Sequence, residues 1–367
     1  MKKVLNCMLA LASIALVGCS EEKPYSITCH FPSSKTDSTY AYLVTFNSGL
    51  RDVNYIDSAL IENGRAVFVG TTQGSEVCGI YTAPRKRILF IKEAGDIKIE
   101  GTELIIGTKL NDEWLDYRSY SDSVNNSAAE LYNIAAKNPE LTEEERSAQI
   151  DEIITDYSTK ILNKASDVLA THKKDALGQL VFWMDIANNE IMDRHAYKQK
   201  LAEAGEYIAE YGPIKAITAR FEAQESTSEG KMFTDFTIEH GNLDGTEAKL
   251  SDYVGKGKVV LVDFWASWCG PCRRAMPKIA EAYKTFPSEK FQVLSVAVWD
   301  KHDDTLEAIE KLGMEWNNII DADTAPTNLY GVNGIPHLML IDADGTILRR
   351  GVAPDNIITA VNEALSK

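Results

Sequence analysis

Cys269 and Cys272, separated by Gly270-Pro271, are the residues of this chain best placed to do chemistry. A Cys-x-x-Cys pair can supply half of a zinc site or can cycle between dithiol and disulfide. A structural zinc site needs two further thiolate or imidazole ligands at similar spacing. The other cysteines, Cys7, Cys19, Cys29 and Cys78, include no second close pair, and no closely spaced histidine pair follows. No metal and no cofactor are therefore expected, and redox exchange is the chemistry that remains. Val259 to Phe264 is an almost unbroken apolar run of strand length, and the residues after Cys272 are helical in pattern. The first thiol then sits over a helix N-terminus, where free N–H groups and the helix dipole favour thiolate. The second thiol follows one turn later, within reach of the first.

One charge interrupts the apolar run. Asp263 is costly to bury unless it has a role, which makes it a candidate acid–base group. The alternative is a side chain that faces water at the end of the strand. Trp268 precedes the cysteine pair, Pro277 follows it, and Ile335-Pro336 comes much later.

Together these residues resemble the active site of a thioredoxin. From about Gly230 to Lys367 the chain resembles the TlpA- and ResA-like membrane-anchored thioredoxins. The resemblance implies an α/β thioredoxin fold, a central mixed sheet flanked by helices. It also implies roles. Cys269 is the accessible nucleophile that attacks a client disulfide, and Cys272 is the shielded resolving thiol. Gly270 and Pro271 set the loop between them and tune its potential; Gly-Pro is the pairing of reducing thioredoxins. Trp268 forms part of the client surface. Ile335-Pro336 matches the cis-proline loop, whose backbone pairs with an extended client segment. His337 either opens a buried strand or titrates beside the site. ResA-like proteins commonly carry a glutamate three residues after the second cysteine, but here that residue is Ala275. Cytoplasmic thioredoxins use an aspartate six residues before the first cysteine, and Asp263 stands there. Peroxiredoxins share the fold but carry threonine or serine where this chain has Ala266, so a peroxidase is not expected.

The elements that must position this site occupy the last third of a 367-residue chain, which is long enough for two or three domains. Residues 1–18 read as a lipoprotein signal peptide: Lys2 and Lys3, an apolar core to Val17, then Leu16-Val17-Gly18-Cys19, which resembles a lipobox. In that family Cys19 becomes lipidated. Residues 19–24 would be a short tether, at most about 3.5 Å per residue, to a bilayer. Residues 25–104 carry short β-patterned runs with an Asn63-Gly64 hairpin turn, and suggest a β-sandwich-like domain. Ile56-Asp57-Ser58-Ala59 and Asn63 to Phe68 resemble the amino-terminal β-domain of many Bacteroidetes thioredoxin lipoproteins. Cys29 and Cys78 fall in two of these strands; pairing and two buried free thiols both fit, and no obligatory bridge is expected. Residues 105–229 read as a helical connector with a Thr142/Glu145 capping box. Its His172 and His195 lie among charges and read as solvated, and its polar end, Gln224 to Gly230, reads as a linker. Residues 230–367 are the thioredoxin-like domain.

The net charge of −16 gives no basic face for phosphate and excludes nucleic acid as an expected partner. The expectation is a lipid-anchored thiol–disulfide oxidoreductase of the cell envelope, on the periplasmic side or at the outer membrane. Its partners would be disulfide-containing clients, the bilayer through Cys19, and a membrane thiol-electron donor. The alternative is a binding or docking lipoprotein whose thioredoxin domain is not its main activity.

Overall fold

The computed structural model describes residues 22–31, 38–82, 86–101, 103–189 and 192–366. The expected signal peptide, Cys19 and the first half of the expected tether lie outside the described residues, while Lys23 and Pro24 of that tether belong to the first strand. Two compact units emerge, Met1–Ile214 and Lys215–Lys367.

The first unit opens with eight strands: β1 (Lys23–His30), β2 (Tyr40–Gly49), β3 (Asp52–Leu60), β4 (Arg65–Thr72), β5 (Glu76–Thr82), β6 (Lys86–Lys92), β7 (Gly95–Glu100) and β8 (Leu104–Ile106). They form two four-stranded sheets, ordered β4-β1-β7-β8 and β3-β2-β5-β6. This is the sandwich-like class expected. All pairs are antiparallel except β1 with β7. Alternation does the sorting: in β1, Tyr25, Ile27 and Cys29 are buried while their neighbours are not. The tight turn between β3 and β4 needs two left-handed residues, and Asn63 (φ 51°) and Gly64 (φ 72°) supply them. Cys29 and Cys78 lie in different sheets, and both are buried free thiols. Burial pushes the Cys29 thiol up to about 12, so it stays protonated and inert at neutral pH.

The helices follow: α1 (Lys109–Lys137), α2 (Glu143–Thr171), α3 (Ala176–Val181), a π-helical turn at Phe182–Ile186, α4 (Arg194–Ala204), α5 (Glu206–Ala209) and α6 (Gly212–Ser226). α1 and α2 make a helical hairpin. The capping box is present: Thr142 Oγ1 accepts the Glu145 N–H at 3.2 Å, and the Glu145 carboxylate accepts the Thr142 N–H at 2.9 Å. His195 is exposed, but the solvated reading of His172 is corrected. Its ring lies 2.8 Å from Asp175 and 3.2 Å from Glu113, with its side chain 13 % exposed. The surrounding charges hold the ring instead of leaving it to water, and Glu113 comes from another helix, out of reach of local pattern.

In the second unit a short hairpin, β9 (Thr237–Ile238) and β10 (Ala248–Lys249), precedes an α/β core. The core runs β11 (Val259–Trp265), α7 (Gly270–Thr285), β12 (Phe291–Ala297), α8 (His302–Leu312), β13 (Asn317–Ile319), α9 (Ala325–Tyr330), β14 (His337–Ile341), β15 (Ile347–Arg350) and α10 (Ile357–Leu365). Its mixed sheet is ordered β13-β12-β11-β14-β15, with the first two pairs parallel and the last two antiparallel. Every residue of central β11 is buried, because both sheet faces are covered. Leu261 and Trp265 pack with α7 and α10 residues such as Ile279 and Val361. Val260, Val262 and Phe264 pack on the other side, around Tyr330 and the β9–β10 hairpin. Strand period therefore aims Asp263 at α7, the helix that carries the cysteines.

The linker reading of Gln224 to Gly230 is also corrected. α6 continues to Ser226, and Thr227 is fully buried. The Arg350 guanidinium donates to Thr227 O at 2.9 Å and to Thr227 Oγ1 at 2.7 Å. Gln224 donates to Gly331 O at 2.8 Å, and the Gly230 N–H to Ile347 O at 2.8 Å. The polar side chains that suggested solvent are satisfied within the second unit itself.

Candidate active site

β11 ends at Trp265, and a short loop carries the chain into α7 with Cys269 at its N-cap. The Cys269 sulfur accepts the Cys272 N–H at 3.2 Å, so it occupies the place of a capping oxygen. Cys269 and Cys272 are joined as a disulfide with Cα atoms 5.3 Å apart. Cys269 is 4 % exposed and Cys272 fully buried, an asymmetry in the expected sense but a small one. Gly270 and Pro271 are exposed between them. Ile335-Pro336 is a cis peptide, and the Ile335 carbonyl oxygen lies 3.6 Å from the Cys269 sulfur.

Trp268 is 61 % exposed, the most open aromatic of this unit, and its indole N–H donates to Trp299 O at 2.9 Å. Ser267 is held from the same loop: its N–H and hydroxyl reach the two Asp300 carboxylate oxygens at 2.5 and 2.9 Å. Sequence reasoning missed Asp300 and the Trp299 carbonyl. An acidic residue three positions past the end of buried strand β12 was the one available signal. Trp265 is buried, as is Trp316, while Trp299 is half-buried with φ at 55°.

Asp263 is fully buried, which rules out the water-facing alternative. Burial pushes its carboxyl up to about 7, and a hydrogen bond from Ser295 Oγ to Oδ2 at 3.2 Å opposes the rise. Among the described residues Oδ1 has no hydrogen-bond partner. Ala275 is buried in α7 and brings no acid there. His337 opens β14 with its ring against Phe264, at 6.1 Å between centroids. Burial first, and the Arg350 charge second, bring His337 down to about 4, so it is neutral at pH 7 and the buried-strand reading holds.

A groove of about 180 Å³ beside the cysteine loop is lined by Ser267, Arg273, Asp304, Glu307 and Lys311. A larger cleft of about 690 Å³ lies within the first unit, among Glu76, Tyr207 and Tyr211, and holds no redox-active cysteine. Thiol exchange with a protein disulfide needs an accessible sulfur and an extended backbone partner more than it needs a deep cavity.

A central mixed sheet with a dithiol pair capping the first long helix, opposite a cis-proline loop, defines the thioredoxin-like class. Residues 230–350 match the AhpC/TSA family, and residues 25–114 match a domain of unknown function, DUF4369. Thiol-disulfide oxidoreductase ResA of Geobacillus thermodenitrificans is 32% identical over 127 residues, 35% of this chain and 71% of that protein. ResA of Bacillus subtilis is 31% identical over 131 residues, 36% of this chain and 71% of that protein. Thiol:disulfide interchange protein CycY of Rhizobium leguminosarum bv. viciae is 34% identical over 126 residues, 32% of this chain and 66% of that protein. Among solved structures, the thioredoxin domain of a Bacteroides vulgatus thiol-disulfide oxidoreductase aligns with TM-score 0.34 at 29% identity, covering 37% of this chain and 96% of that one. A thiol:disulfide interchange protein from Bacteroides sp. aligns with TM-score 0.35 at 28% identity, covering 39% and 93%. The chain belongs to the ResA-like family of thiol-disulfide oxidoreductases.

Proposed function

We propose that this enzyme is anchored to a membrane outside the cytoplasm and reduces client disulfides through Cys269 and Cys272. The observation that carries the reading is the Cys269–Cys272 pair at the α7 N-terminus, facing Ile335-Pro336 with Asp263 buried behind it. In the reduced enzyme the helix N-terminus favours the Cys269 thiolate. That thiolate attacks one sulfur of a client disulfide, forming a mixed disulfide while the other client sulfur leaves as thiolate. Cys272 then gives its proton to Asp263 and attacks the Cys269 sulfur. The mixed disulfide breaks, the second client thiolate leaves, and the enzyme keeps the Cys269–Cys272 bond. Two electrons have passed to the client, so a dithiol donor from the membrane must return two. Trp268, Gly270, Pro271 and the Ile335 backbone form the surface against which an extended client segment lies, with Pro336 holding Ile335 in place.

The reducing direction is supported by the Gly-Pro dipeptide. Its test is the in-cell redox state of the pair, read by alkylation after acid quenching. Mostly dithiol is expected; mostly disulfide would make the protein an oxidant.

The anchored reading rests on Leu16 to Cys19. We assign residues 1–18 as a cleaved signal and the stretch from Cys19 as a tether, of which β1 takes up Lys23 and Pro24; the β-domain runs on to the end of β8, the helical connector follows, and the redox domain from residue 230 is joined by the end of α6. No helix among the described residues is long and apolar enough to cross a membrane. Cys19→Ser is expected to abolish lipid labelling and to move the protein out of the membrane fraction. A mature amino terminus other than Cys19 would overturn the assignment.

A further inference from the structure

Three buried side chains behind the cysteines form a chain of hydrogen bonds. The Trp316 indole N–H donates to Ser295 Oγ at 2.9 Å, and Ser295 Oγ donates to Asp263 Oδ2 at 3.2 Å. All three residues are buried. The directions are dictated by chemistry. An indole N–H can only donate, and a hydroxyl carries one hydrogen. With Trp316 occupying a lone pair of Ser295 Oγ, the serine hydrogen is left for Asp263. Ser295 stands directly opposite Asp263 in the parallel β11–β12 register. Trp316 is itself held: Asn318 Nδ2 donates to its carbonyl at 2.7 Å, and the Tyr283 ring lies 5.7 Å from its own. On the carboxyl, Oδ2 is thus engaged as an acceptor while Oδ1 has no hydrogen-bond partner among the described residues.

We propose that Trp316 and Ser295 are positioning residues for proton transfer: they fix Oδ2 of Asp263 as the acceptor oxygen and reserve Oδ1 for the proton taken from Cys272. The proposal rests on the acid–base role of Asp263 given above. The balance is one proton: the Cys272 S–H bond breaks, the Asp263 Oδ1–H bond forms, and the sulfur keeps the electron pair with which it attacks Cys269. A carboxylic acid donates from one oxygen and accepts at the other, so a hydroxyl hydrogen held on Oδ2 makes Oδ1 the better site for the arriving proton. The same bond stabilises the ionised carboxylate and restrains the rise in its pKa that burial causes.

The layer into which Asp263 points contains Cys269, Cys272, Ala275 and Met276 from α7 and Leu338 from β14. Of these only the two cysteines can ionise, and only once their disulfide is reduced. No charged side chain contributes to the shift of Asp263. His337 and Arg350 belong to the opposite face, with Phe264 and Met339.

The test is the pH dependence of the second exchange step, followed as release of a reporter thiol from a Cys269 mixed disulfide. Infrared titration of the Asp263 carboxyl in the oxidised enzyme runs in parallel. Ser295→Ala is expected to move both midpoints upward by about one pH unit, the size of a lost hydrogen bond to a charged group. Trp316→Phe keeps the packing ring but frees the serine hydrogen, and should move them upward by about half that. Ser295→Thr, which keeps the hydroxyl, should restore the midpoint. A purely structural role would lower melting temperature without moving either midpoint, and that result in both variants would overturn the proposal. Asp263→Asn separates the two readings. If its pH limb persists, the acid–base role of Asp263 is wrong. If the limb vanishes yet Ser295→Ala leaves the wild-type midpoint in place, this inference alone is wrong.

Discussion

Cys272→Ser is expected to turn the enzyme into a trap. Cys269 keeps its place at the α7 N-cap, where the backbone N–H of residue 272 points at its sulfur. It can still attack a client disulfide, because the helix terminus that favours its thiolate is unchanged. What disappears is the resolving sulfur, so the mixed disulfide persists. Insulin reduction should fall to the background rate, and non-reducing gels of cells carrying the variant should show clients covalently joined to Cys269. Cys269→Ser should also fall to background but trap nothing. The burial difference is small but runs the same way, with Cys269 4 % exposed and Cys272 fully buried, and the N-cap place of Cys269 is what sets the two sulfurs apart. Equal trapping by both variants would show that the nucleophile has been misassigned.

Asp263→Asn is expected to slow the second exchange while sparing the first, and to stabilise the folded protein at the same time. A positioned base contributes about a hundred-fold or more to a proton-transfer step, and resolution at pH 7 should fall by about that factor in stopped-flow traces. The stability effect follows from linkage. The folded-state pKa of Asp263 is raised to about 7 by burial, above that of an exposed carboxylate. Between about pH 4 and pH 7 the unfolded chain is ionised at this position while the folded chain holds its proton, so stability declines as pH rises through that window. Above it the loss is on the order of 4 kcal/mol, taking 1.36 kcal/mol per unit over roughly three units. Asparagine does not ionise. The oxidised variant should therefore match the wild type near pH 3.5 and exceed it in denaturation midpoint at pH 8. An unchanged resolution rate at neutral pH would remove Asp263 from the mechanism. An unchanged pH dependence of stability would mean that its carboxyl is not raised.

The strand, the cysteine pair, the Ile335-Pro336 loop and Asp263 were legible in sequence because each leaves a local mark: an apolar run, a fixed spacing, a lone charge where none belongs. Thr142 and Glu145 were legible for the same reason, since a capping box closes within one turn. What escaped depends on register between distant segments. Ser295 meets Asp263 only because β11 and β12 pair in parallel, and Trp316 reaches Ser295 only after β13 is added. A three-residue strand such as β13 is too short to show a period. The π-helical turn at Phe182–Ile186 gave no signal that an ordinary helix would lack. Gln224 to Gly230 was misread because its polar groups bond to β15 and to Gly331, more than a hundred residues away in sequence.

The bonds from the end of α6 to Arg350 and Gly331 bear on how such chains are assembled in evolution. The family match begins at residue 230, after Thr227 and Gln224. A gene fusion joined at that residue would inherit Arg350 without either of its bonds to Thr227, and Gly331 without the Gln224 amide. Removing partners from buried polar groups costs more than the net worth of the bonds themselves. Shuffling of the redox domain among proteins of this kind should therefore carry the end of α6 along, so that the unit of inheritance is longer than the unit of resemblance.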